Sequence, residues 1–83
     1  MIITNVEVKK IENDSSKFKG VATVYLNNSF VIKNIRIIEG EKGLFIAMPN
    51  RLVKGKRIDI CNPLNKETRK MFEDAILNKY KEL

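Results

Sequence analysis

The chemistry open to this chain is set first by what it lacks. It has no histidine and one cysteine, Cys61. Without imidazole there is no ordinary base near neutral pH, no Ser-His or Cys-His pair, and no use of the commonest metal ligand. One thiol neither builds a structural zinc site nor closes an internal disulfide. A lone thiol fits a reducing compartment. Cys61 reads as a small buried hydrophobe at a strand end. Gly-rich phosphate loops, paired carboxylates and metal-ligand spacings are all missing from the sequence. The expectation is a protein that is not an enzyme and has no cofactor, metal or small-molecule substrate.

What remains is charge. Lys and Arg number 16 against 10 Asp and Glu, a net of +6 over 83 residues. The excess is concentrated. Residues 49–70 hold Arg51, Lys54, Lys56, Arg57, Lys66, Arg69 and Lys70 against Asp59 and Glu67, a net of +5. Residues 1–48 net +2 and residues 71–83 net −1. A lysine-rich face is usually only a solvated one. Arginine points further, because its planar fork of donors suits phosphate. Three of the four arginines, Arg51, Arg57 and Arg69, lie inside the basic stretch. The reading is phosphate-backbone contact by Arg51, Lys54, Lys56 and Arg57 from a loop. Lys66, Arg69 and Lys70 add to it from the first turns of a helix, where free N–H groups also favour anions. With two Tyr, four Phe and no Trp, backbone contact is favoured over a stacking platform. Tyr25, on an outer sheet face, could stack one base.

The elements that must position these groups follow from periodicity. Residues 2–11 alternate as a strand, with Ile2, Thr4, Val6 and Val8 on one face and Asn5, Glu7 and Lys9 on the other. Asn13 to Ser16 is a turn. Residues 18–27 are a second strand whose inner face is Phe18, Gly20, Ala22, Val24 and Leu26. Gly20 marks a bulge or a close backbone approach. Asn27-Asn28-Ser29 is a hairpin turn, since Asn tolerates positive φ.

Residues 30–38 break parity, because Phe30 and Ile32 disagree with Ile35 and Ile37. A one-residue bulge near Lys33-Asn34 puts all four on one face; the alternative is a strand covered on both faces. Gly40 and Gly43 bracket a turn. Leu44 to Met48 is a fourth strand, stopped by Pro49. Residues 49–57 are a mobile basic loop with Gly55 at its tip. Ile58-Asp59-Ile60 is a fifth short strand or an extended arm.

Asn65 caps a helix that runs to Leu83, with Glu67 in its first turn. Phe72, Ala75, Ile76, Tyr80 and Leu83 face the sheet. Lys66, Lys70 and Leu77 fall opposite. Leu77 is read as a single exposed apolar residue, with a subunit contact as the alternative. The fold class is α+β: an antiparallel meander of four to five strands and a C-terminal helix, in one domain spanning 1–83. So small a core is often supplemented by a partner subunit, which makes a homodimer the expected assembly. No run of 18 apolar residues occurs and the first residues lack signal-peptide character, so a cytoplasmic protein without membrane insertion is expected.

Asn34-Ile35-Arg36-Ile37-Ile38, then Gly43-Leu44-Phe45-Ile46-Ala47-Met48-Pro49-Asn50-Arg51, resembles the SpoVG family of bacterial septation and stage V sporulation proteins. The likeness continues through Asp59-Ile60, Asn62-Pro63-Leu64-Asn65, Thr68-Arg69 and Asp74 to Tyr80. The chain departs from the family pattern at Leu52, where a second basic residue is usual. Its loop is also one residue shorter, and Asn62 stands where His is usual. The resemblance implies a homodimeric regulator that binds DNA and RNA and is linked to septation and sporulation. The competing reading is a protein-interaction adaptor in septum assembly that does not touch nucleic acid.

Overall fold

The computed structural model describes residues 1–11 and 15–83. Its elements are β1 (Ile3–Lys10), β2 (Phe18–Leu26), β3 (Phe30–Gly40), β4 (Gly43–Ala47), β5 (Asn50–Val53), β6 (Lys56–Asp59) and α1 (Lys66–Glu82). β1 to β4 pair in chain order as an antiparallel meander, and β5 with β6 forms a separate two-stranded sheet. The α+β class and the meander are as expected. Asn13 and Asp14 of the expected first turn lie outside the described residues.

Three bulges decide which side chains face the helix. On β3, Ala22 pairs with Ile35 and Val24 with Ile32, so β3 carries one extra residue around Lys33-Asn34. Asn34 takes φ 64°, the left-handed conformation that lets a strand step over. Ile35 and Ile37 are buried and Ile32 packs beside them, as the bulge requires. Phe30 does not join them; it is 66% exposed at the hairpin end.

On β1, Ile3 pairs with Leu26 and Asn5 with Tyr25, leaving Thr4 as the extra residue. The Thr4 hydroxyl donates to the Tyr25 carbonyl at 3.2 Å and accepts from Asn28 N–H at 3.1 Å. Ile3 therefore packs on the core with Val6 and Val8, while Ile2 and Thr4 are exposed, contrary to simple alternation.

On β2, Phe18 pairs with Ile38 and Gly20 with Ile37. The extra residue is Lys19, and it moves Phe18 off the expected inner face. Gly20 is both beside a bulge and closely approached: a Cβ there would sit 3.0 Å from the Lys9 carbonyl. The Asn27-Asn28 turn holds φ 52° and 55°, the paired positive values of a tight hairpin.

α1 lies under this sheet against β1 and β4. Phe72 and Ile76 close the core made by Ala22, Val24, Leu26, Ile35, Ile37, Ile46 and Met48. Asn65 caps the helix, its Oδ1 accepting from Thr68 N–H at 2.7 Å. Two expectations change at the helix. Leu77 is half-buried and packs on the core beside Met71, because the sheet covers a broader stripe than the narrow face assigned. Leu83, assigned to that face, is 56% exposed at the helix end. Its carbonyl accepts from Lys10 Nζ at 2.7 Å, and the same ammonium lies 4.6 Å from the centre of the Tyr80 ring.

Candidate nucleic-acid interface

The basic segment is not a loop. Residues 50–59 are two four-residue strands, and the residues that turn between them are Lys54 at φ 50° and Gly55 at φ 81°. Gly55 does sit at the tip. The alternation Arg51-Leu52-Val53 was too short to register as a strand, yet Lys-Gly supplies the positive φ values that close a two-residue hairpin. Ile60 N–H then donates to the Pro49 carbonyl at 2.7 Å and extends the pairing by one step.

The register sorts the cations. Arg51 pairs with Ile58 and Val53 with Lys56, so these four share one face. Leu52 pairs with Arg57 and Asn50 with Asp59, so these share the other. Lys54 stands at the tip. Arg57 is oriented by its Nη1, which donates to Asn50 Oδ1 at 3.0 Å. Four cations against Asp59 leave the hairpin at +3. Among the described residues, no ion pair joins Arg51, Lys54, Lys56, Arg57 or Lys66 to a carboxylate.

The helix contributes differently. Arg69 Nε is 3.2 Å from Glu73 and its Nη2 donates to the Ile46 carbonyl at 2.8 Å. Lys70 Nζ is 3.7 Å from Asp74. Both acids lie one turn further along the helix and offset the charge locally. Of the seven cations expected at the interface, four ride on the hairpin and Lys66 opens the helix. Arg69 and Lys70 are engaged by helix acids.

Charge clustering does not single out Arg36, because it lies alone in sequence. Its signal was parity: once the Asn34 bulge is placed, Arg36 between Ile35 and Ile37 must point away from the helix. It pairs across to Val21 and Ala47 on the outer face. There it lines a cleft of about 280 Å³ with Phe18, Val21, Asn50, Arg57 and Ile60. Tyr25 lies further along the same face, and its hydroxyl donates to Glu7 Oε1 at 2.6 Å. That bond, and the carboxylate charge behind it, push the Tyr25 phenol above its ordinary 10.0. Cys61 is half-buried and packs on the core, and its sulfur is not part of a disulfide. Among the described residues no group of His, Cys, Asp and Glu is arranged to hold a metal, and no helix is long and apolar enough to cross a membrane.

Comparison with known proteins matches the SpoVG family model over residues 1–82. A protein of Phytoplasma australiense named "Putative septation protein SpoVG" is 49% identical over 84 aligned positions, covering 100% of this chain and 86% of its own length. Proteins of the same name from Acholeplasma laidlawii and Agathobacter rectalis are 45% and 44% identical. They align with 99% and 98% of this chain, and with 87% and 93% of their own lengths. A family match over nearly every residue, with relatives this similar end to end, settles the lineage: the chain belongs to the SpoVG family.

Proposed function

We propose that this protein is a homodimeric regulator that binds DNA and RNA through phosphate contacts, in a role tied to septation and, in organisms that form spores, to sporulation. The septation link is taken from the names its relatives carry. One observation supports the nucleic-acid part: a projecting hairpin with four cations, none ion-paired to a carboxylate among the described residues. Such a surface attracts polyanions, and the nucleic-acid backbone is a dense one whose phosphates suit Lys and Arg. Lys and Arg contacts to phosphate carry no sequence information, so sequence discrimination is weak.

Exposed Leu52, Ile58 and Leu64 supply apolar surface for a second copy. They also favour the second reading, an adaptor that binds another protein at the septum. Changing Arg51, Lys54, Lys56 and Arg57 together to Ala separates the two. Mobility-shift binding to DNA and RNA is expected to vanish, while circular dichroism and the mass by light scattering stay unchanged. Undiminished binding discards the hairpin as the contact. Purified protein that neither retains on heparin nor carries nucleic-acid absorbance favours the adaptor.

A further inference from the structure

Between the hairpin and the outer face of the meander lies the cleft of about 280 Å³. Arg36 enters it from the sheet and Arg57 from the hairpin, and Phe18, Val21 and Ile60 give it an apolar floor. The two guanidinium groups come from separate sheets and from residues far apart in sequence. Asn50 fixes the direction of Arg57. Arg36 is half-buried and, among the described residues, has no hydrogen-bonded or ion-paired side-chain partner. Arg57 is exposed, and among the described residues neither is ion-paired to a carboxylate, so two uncompensated cations border an apolar surface. They call for an occupant with an anion at one end and a flat, weakly polar face at the other.

We infer that this cleft receives one nucleotide of a single strand, its phosphate between Arg36 and Arg57 and its base on Phe18, Val21 and Ile60. The inference rests on the nucleic-acid reading above and sharpens it into a preference for unpaired strands. A cleft just under the ~300 Å³ at which small-molecule pockets begin has room for one base and little more. A base inside a duplex is stacked and paired, and reaches such a site only by flipping out at a cost of a few kcal/mol. An unpaired base pays no such cost. Asn34 also lines the cleft, and an amide side chain carries both a donor and an acceptor suited to a base edge. Hairpin cations outside the cleft treat both forms alike, because they meet only the backbone.

The test uses fluorescence anisotropy of the intact protein with a labelled oligothymidylate, and with a mixed-sequence duplex of equal length. The variants are Arg36→Gln and Ile60→Ala, with Lys42→Gln as a control that removes one charge outside the cleft. The wild type is expected to bind the single strand more tightly. Arg36→Gln should weaken that binding about tenfold, the size of a lost charged contact. Its effect on the duplex should be no greater than that of Lys42→Gln. Ile60→Ala alters no charge, yet should weaken single-strand binding several-fold and leave the duplex alone. Ile60 is two-thirds exposed, so this variant keeps the test valid if Arg36→Gln fails to fold. Equal losses on both nucleic acids, or single-strand binding unmoved by Ile60→Ala, overturn the cleft assignment. So does an Ile60→Ala protein whose mass by light scattering drops, since a second copy then fills the cleft. Wild-type protein that binds neither probe overturns the nucleic-acid reading itself, a result distinct from the others.

Discussion

The guanidinium of Arg69 reaches from the first turn of α1 to the main chain of β4, where its Nη2 donates to the Ile46 carbonyl at 2.8 Å. The Ile46 side chain is fully buried in the core, while its carbonyl lies on the free edge of the meander. Arg69 therefore satisfies an edge acceptor and fixes where the helix begins. Its Nε holds Glu73 at the same time. Lysine offers its donors from a single point and lacks the planar fork whose Nε and Nη2 reach the two partners separately. Arg69→Lys is expected to lower stability by about 1 kcal/mol, in the range of hydrogen bonds to charged groups. The urea midpoint should fall with the slope unchanged. Nucleic-acid affinity should hold, because the charge is kept. A variant as stable as the wild type removes the anchoring role.

Ion pairing divides the cations by their expected share in binding. Lys54 at the hairpin tip has no ion-paired carboxylate among the described residues, whereas Lys70 lies 3.7 Å from Asp74. Each phosphate neutralised contributes about −0.9 to the slope of log K against log salt on duplex DNA. Lys54→Gln should therefore make the measured slope shallower by nearly one. Lys70→Gln should change it by clearly less, since Asp74 already offsets that charge. Equal changes would mean that the helix meets the nucleic acid as closely as the hairpin does.

The Asn34 bulge carries the inward register of β3. At φ 64° an Asn or Gly is at ease, and a β-branched residue is not. Asn34→Gly should leave thermal stability within a few tenths of a kcal/mol, and Asn34→Val should cost about 1–2 kcal/mol. Thermal denaturation of the two variants compares them directly. A valine variant matching the wild type would show that the strand can keep its register without the left-handed step.

The Tyr25–Glu7 bond makes stability depend on pH at the alkaline end. Its phenol is raised above 10.0 in the folded chain, so the neutral form is favoured by folding. The bond's contribution is fully present below the unfolded value and is lost as pH rises through the folded one. In a Tyr80→Phe background, ultraviolet absorbance should show Tyr25 ionising later than a free tyrosine. Glu7→Gln should bring the midpoint back toward 10.0, because it removes the neighbouring charge. A midpoint that ignores Glu7→Gln would show that the hydroxyl is not bound to Glu7 in solution.

Local chemistry was legible wherever one residue dictates its own conformation. Asn27-Asn28 announced a turn, Asn65 a helix cap, Gly20 a tight approach, and the clash of parity in residues 30–38 a bulge. Each is a short-range steric or hydrogen-bonding preference, so sequence carries it directly. Composition likewise placed the excess charge in residues 49–70 and found no histidine for catalysis.

Other features depended on partners distant in the chain. The bulges at Thr4 and Lys19 left no break in the hydrophobic pattern, because they arise from pairing with Leu26, Tyr25, Ile37 and Ile38. Helical periodicity leaves Leu77 to solvent because the width of the sheet beneath it is not written in the helix. The hairpin is not legible in the sequence because two four-residue strands have too few alternations to rise above noise. The bond from Arg69 to the Ile46 carbonyl was beyond reach as well, since the two lie far apart in the chain, whereas Arg69–Glu73 and Lys70–Asp74 are four-residue spacings that the helix itself spells out. Sequence alone determined how much positive charge this protein has and which segment bears it. Tertiary pairing decided which of those charges face outward unmatched, and it brought Arg36 opposite Arg57, because strand register is a property of two segments together.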